Sequence, residues 1–101
     1  MKITIKEGES GLNVHLDGVL DFSASHEFKQ LVLRLAAGRS KTLTFDLARV
    51  SRIDSVGLGL LHIAREELGG EDCRVRLLSP QSGVMRMLEL TEAGSDFDIV
   101  P

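Results

Sequence analysis

The chain has 101 residues, a hydrophobic fraction of 43%, a formal net charge of −3 and a pI near 5.5. That length builds one small core, the apolar fraction excludes a disordered chain, and an acidic balance with no basic run or aromatic stacking platform argues against nucleic-acid binding. With no Trp, no Tyr and four Phe, aliphatic side chains must fill the interior. The opening MKITIKEGES lacks the apolar run of a secretion signal, and no segment reaches transmembrane length. The single Cys73 cannot form an internal disulfide, so a reducing cytoplasm is the expected compartment.

Lys2–Lys6 (KITIK) alternates apolar and polar residues, as a half-buried strand does. EGESG over 7–11 is turn chemistry, and LNVHL over 12–16 alternates again, which predicts a hairpin. Asp17-Gly18 breaks the pattern, and Val19-Leu20-Asp21 leads onward. Phe28, Leu31, Val32 and Leu35 share one face of a helix expected from about Ser25 to Ala37, with Gly38 as its stop. Thr42–Leu47 (TLTFDL) reads as a buried central strand, followed by a polar turn. The next helix, from about Val56 to Leu68, places Gly57, Leu60, Leu61, Ala64 and Leu68 on one face and ends at Gly69-Gly70. Arg74–Leu78 (RVRLL) is a further strand. Ser79-Pro80 predicts an N-cap with Pro at the first helical position, and Val84, Met87 and Leu88 form the apolar side of that last helix. Phe97–Val100 is a candidate final strand. The order β-β-α-β-α-β-α predicts an α/β fold, a mixed sheet of four to five strands packed with three or four amphipathic helices in one domain over 1–101.

The most informative stretch is TFDLARVSRIDSVGLGLL, Thr44–Leu61. It sets Asp54 and Ser55 at the start of a helix, where backbone N–H groups lack intrahelical partners and the helix dipole favours negative charge. A phosphate on such a hydroxyl would be favoured by those donors, a geometry that suits a switch better than a catalytic pocket. Asp21 stands at a strand exit in GVLD and Asp54 at a helix start, and in a mixed sheet such positions can converge on one rim. Two readings stand for this pair: an acidic site beside a hydroxyl, or two caps for the helices that follow.

Other chemistries find little support. His15, His26 and His62 lie on three elements without metal-ligand spacing, and one Cys does not make a zinc site. Met85 and Met87 read as helix packing and surface, and Cys73 as structural. Gly57 and Gly59 do not form a dinucleotide fingerprint, and Ser55 lacks the flanking glycines of a nucleophile elbow. Neither an enzyme nor a cofactor is expected.

Taken together, GVLD (Gly18–Asp21), FDLARVSRIDSVGLGLL (Phe45–Leu61) and RVRLLSPQSGVMRMLEL (Arg74–Leu90) resemble the STAS domain of bacterial anti-sigma factor antagonists over nearly the full chain. The resemblance implies a partner switch. In that family a GHKL-type anti-sigma factor and serine kinase binds the STAS protein and phosphorylates a hydroxyl at this helix N-terminus, and a PP2C-type phosphatase resets it. It maps the two acidic residues near the site onto Asp21 and Asp54, and the small residue that lets the helix approach onto Gly57. One departure stands out: the usual acceptor, just before that glycine, is Val56 here. Three explanations follow. Ser55 is itself the acceptor; the domain is a constitutive binder with Val56 locking the unphosphorylated surface; or it is the STAS subunit of a lipid-transport ABC complex, whose members also lack the second hydroxyl. The first is favoured. Leu58, His62 and Arg65 lie along one line of the same helix and are read as a docking surface facing away from the core.

Overall fold

The alternation of KITIK and LNVHL becomes an antiparallel pair in the computed structural model, which describes residues 1–8, 11–36, 41–69 and 73–101. Strand β1 (Lys2–Glu7) lies against β2 (Gly11–Leu20) with Ile3 opposite Leu16 and Ile5 opposite Val14. These side chains turn to the core, while Lys2, Thr4 and Lys6 remain exposed. Strands β3 (Thr42–Ile53), β4 (Arg74–Leu78) and β5 (Asp98–Val100) then add in chain order, each parallel to its neighbour, giving one five-stranded mixed sheet. Parallel neighbours need a crossover. Helices α1 (Ser25–Ala36), α2 (Ser55–Leu68) and α3 (Ser82–Leu90) supply the three crossovers, with 3-10 turns at Phe22–Ala24 and Ala93–Ser95.

The core is aliphatic apart from Phe28, Phe45 and Phe97. Phe28 of α1 stacks on Phe45 of β3, with ring centroids 5.7 Å apart. Such a pair adds about 1 kcal/mol beyond its buried area. Phe28, Leu31 and Val32 bury one side of α1, which packs on α2, whose Gly57, Leu60, Leu61 and Ala64 are also buried. Across the pleat, alternate residues of the central strands face an open polar surface, where His15 Nδ1 lies 3.1 Å from Asp46 Oδ2. Lys2, Thr4, Lys6 and Arg49 line the same shallow hollow.

Several boundaries differ from the sequence reading. The polar turn expected after Leu47 is strand: β3 continues through Ala48–Ile53. Its partner β2 likewise runs through Asp17-Gly18 to Leu20. Two register shifts, between His15 and Asp17 and between Gly18 and Val19, disrupt the period-two pattern there, and Gly18 absorbs the irregularity at φ +125°. Ser79 is not an N-cap. It sits at φ 53°, donating its N–H to Val100 O at 2.7 Å, and α3 begins at Ser82 after Gln81. The Gln81 side chain bonds Ala48 O of β3 at 2.9 Å, fixing the start of α3 against the part of β3 that β4 does not reach. Ala37, the Gly38 stop, Gly70 and Glu9-Ser10 of the first turn lie outside the described residues.

Candidate functional site

Strands β2 and β3 run parallel and end in register, with Leu20 paired to Ile53. The next residue of each chain segment is an aspartate. Asp21 and Asp54 are therefore brought to the same rim, and the Asp54 N–H points to Leu20 O at 3.4 Å. Extending both strands beyond their sequence-expected ends is what creates this convergence.

Both carboxylates are caps. Asp54 adopts an extended backbone before α2, and its Oδ1 accepts the Gly57 N–H at 2.8 Å. Asp21 precedes the 3-10 turn and accepts the Ser23 N–H at 2.9 Å along with the Ser23 hydroxyl. The Ser23 hydroxyl bond and then the Ser23 N–H hold the Asp21 carboxyl below its usual range against desolvation, with a lesser contribution from the Arg52 charge. The capping reading and the acidic-rim reading are thus the same geometry.

Ser55 is the first residue of α2, not its cap, because Asp54 takes that role. The Ser55 side chain is exposed and makes no hydrogen bond among the described residues. Val56 beside it is 43% exposed, and Phe22, on the neighbouring turn, is 77% exposed. Gly57 is what allows α2 to start here: a β-carbon at this position would lie 1.8 Å from Leu20 O.

A family model described as Mlab, STAS domain matches residues 3–101. The chain belongs to the STAS domain family. It is 28% identical to a STAS-domain containing protein of Pseudomonas aeruginosa (strain UCBPP-PA14), over 98% of this chain and 99% of that protein. Its fold superposes with a TM-score of 0.89 on an anti-sigma factor antagonist from Mycobacterium paratuberculosis, at 22% identity over 99% of this chain and 85% of the other. The antagonist SpoIIAA matches in its unphosphorylated form at TM-score 0.79 and 22% identity, over 99% of this chain and 89% of that one. The phosphorylated Bacillus form matches at 0.71 and 21%, over 99% and 92%. The mixed sheet and its helices are the fold of those antagonists.

Within this STAS domain one member of the expected docking line is corrected. Leu58 is buried at 7% exposure and belongs to the core. His62 and Arg65, on the same line of α2, meet the chain just before β5. Arg65 Nε donates to Asp96 O at 2.6 Å, and the His62 ring lies 5.0 Å from that of Phe97, with Nδ1 3.9 Å from Asp96 Oδ2. Arg65 stays exposed and His62 half-buried, and both contact the protein's own C-terminal turn. Sequence reasoning missed this because helical spacing gives directions around α2 but not what stands opposite each. The apolar groups that do face solvent on α2 are Val56 and Ile63, the latter 39% exposed.

Phe22, Ser23 and Arg52 also belong to the rim and were not anticipated. The Asp-Phe-Ser run after GVLD carried the signal, since a large apolar residue directly after a capping Asp falls outside the buried stripe of α1. An open hollow of about 420 Å³ near the C-terminal end of α2 is lined by Arg65, Cys73, Arg74, Asp96 and Asp98, far along the helix from Ser55. Arg74 is paired there with Asp98 at 3.0 Å, and burial pushes the Cys73 thiol up, away from reactivity. Among the described residues no group of three or more His, Cys, Asp or Glu is placed to hold a metal, and no helix is long and apolar enough to cross a membrane.

Proposed function

We propose that this STAS domain is a non-enzymatic binding regulator of the anti-sigma factor antagonist type, working in the cytoplasm, whose binding rim is controlled by reversible phosphorylation of Ser55. The observation that carries the reading is the state of that hydroxyl. It is exposed at the first turn of α2, without a hydrogen bond among the described residues, and flanked by the caps Asp21 and Asp54 and by the exposed apolar Val56 and Phe22. A hydroxyl with no structural task is available to a kinase, and the apolar groups around it supply contact area for a partner.

Charge explains how the switch would act. A phosphate adds nearly two negative charges at neutral pH. Beside Asp21 and Asp54 it repels acidic groups of a partner and resists the desolvation that an interface imposes. A loss of about 2.7 kcal/mol, roughly a hundredfold in affinity, suffices, and no change of fold is needed. The partner of the unmodified form is a GHKL-type anti-sigma factor and serine kinase, and a PP2C-type phosphatase removes the phosphate. Val56 and Gly57 shape the site, Val56 by filling the position where the family's acceptor usually stands and Gly57 by seating the helix.

Site-resolved mass spectrometry of the protein from its native cells tests the reading. Phosphate on Ser55, lost in Ser55→Ala, supports it; a Ser55 unmodified under every growth condition refutes the switch. A second reading rests on Val56 itself. With that side chain in the usual acceptor position, the domain is a constitutive binder or the STAS subunit of a lipid-transport ABC complex, and partner binding would then be indifferent to kinase and phosphatase.

A further inference from the structure

One line of α2 at helical spacing carries the exposed Val56 and Ile63 with the half-buried Gly59 between them. The glycine is the unexpected member. Gly inside a helix costs about 1 kcal/mol relative to Ala; Gly83 also has open space around it, but it stands in the first turn of α3, where a glycine costs less than in mid-helix. Gly57 is needed because a β-carbon would strike the Leu20 carbonyl, whereas a β-carbon on Gly59 would meet nothing within 4 Å. Gly59 does not adopt a left-handed conformation either. The helix therefore bears a penalty that nothing among the described residues requires, at a point between two exposed β-branched side chains. A notch flanked by apolar ridges is what lets a second helix approach closely.

The surroundings state what chemistry would fit. Glu66 and Glu67 follow the stripe on the same exposed side of α2. Among the described residues no cation lies within ion-pair distance of either. Of the two arginines that line the hollow beside Glu66, Arg65 is turned to the Asp96 carbonyl and Arg74 is paired with Asp98. We infer that the Val56–Gly59–Ile63 face is the seat of an apolar helix from a partner protein, which inserts a bulky side chain at Gly59 and sets Lys or Arg opposite Glu66 and Glu67. This rests on the reading of the domain as a partner-binding module but not on phosphorylation of Ser55. It also extends the contact from the rim along the length of α2.

The test is photocross-linking in the native cells, using full-length protein with a photoreactive residue at Ile63 and, separately, at Ser23 on the rim. Cross-linking from Ile63 into a segment of another protein with helically spaced apolar residues and adjacent Lys or Arg is the expected result. Cross-links from Ser23 alone would leave the rim reading standing and overturn this one, and silence at both positions would overturn both. So would capture at Ile63 of an acidic segment or of a second copy, for this inference alone. The captured segment, as a synthetic peptide, should bind Gly59→Gln at least tenfold more weakly than wild type, and likewise the double variant Glu66→Lys with Glu67→Lys. Because Gln is the better helix former, Gly59→Gln should melt no lower than wild type, which separates lost binding from lost folding. Equal affinity for all three proteins would overturn the inference.

Discussion

Gly57 lies so close to the end of β2 that a methyl group added to it would sit 1.8 Å from the Leu20 carbonyl oxygen. That oxygen is backbone, and it also receives the Asp54 N–H, so it cannot move aside without disturbing the rim. Gly57→Ala is expected to destabilise the domain by about 3 kcal/mol or more, at the upper end of overpacking effects. Gly59→Ala, two residues on with open space around it, should instead stabilise by roughly 0.5–1 kcal/mol. Urea unfolding of the two variants measures both, and equal effects would contradict this account of why α2 starts where it does.

Asp54 holds the first turn of α2 through the Gly57 N–H. Removing it in Asp54→Ala should cost about 1 kcal/mol, the usual value of an N-cap, while Asp54→Asn keeps the acceptor and most of the stability. Thermal unfolding separates the two, and partner affinity measured on the Asn variant isolates the part played by the charge.

Acid should act on Asp21 through its cap. Its carboxyl is held below the ordinary 3.8 chiefly by the Ser23 hydroxyl, so the fold favours the ionised form. A group lowered in the folded state contributes stability above its unfolded value, and that contribution disappears as pH falls through the lowered one. Carboxyl-detected NMR titration should place the native midpoint below 3.8 and move it upward in Ser23→Ala. An unchanged midpoint in that variant would remove Ser23 as the cause.

Replacing Ser55 tests the switch without harming the fold, since its hydroxyl makes no hydrogen bond among the described residues. Ser55→Ala is expected within about 0.5 kcal/mol of wild-type stability and to bind its kinase partner persistently. Enzymatic phosphorylation of wild type should weaken that complex roughly a hundredfold, a difference of about 2.7 kcal/mol. Calorimetric titration of both forms would show it, and identical affinities would exclude Ser55 as the control point.

Much of the fold was legible because it depends on local pattern. KITIK, LNVHL and RVRLL alternate cleanly and became strands, while the stripes Phe28-Leu31-Val32 and Leu60-Leu61-Ala64 became the buried sides of α1 and α2. The reading failed where pairing overrode pattern. ARVSRI looks like a turn, yet its burial every third residue, at Val50 and Ile53, is strand set against an irregular partner. Leu58 failed for another reason. It lies off the main apolar stripe yet is buried at 7% exposure, and packing of that kind is not encoded in helical spacing.

By itself the sequence determined the elements, their order, the family resemblance, and the presence of Asp54 and Ser55 at a helix start, because each is written in neighbours a few residues apart. Tertiary structure supplied the geometry by which Asp21, expected at the same rim, actually joins them. That requires β2 and β3 to end in register at Leu20 and Ile53, a pairing across more than thirty residues that no local periodicity encodes. It also decided which side of α2 is open. A helix presents every direction to solvent until packing takes some away, and here α1, the sheet and the turn before β5 leave Val56 and Ile63 exposed.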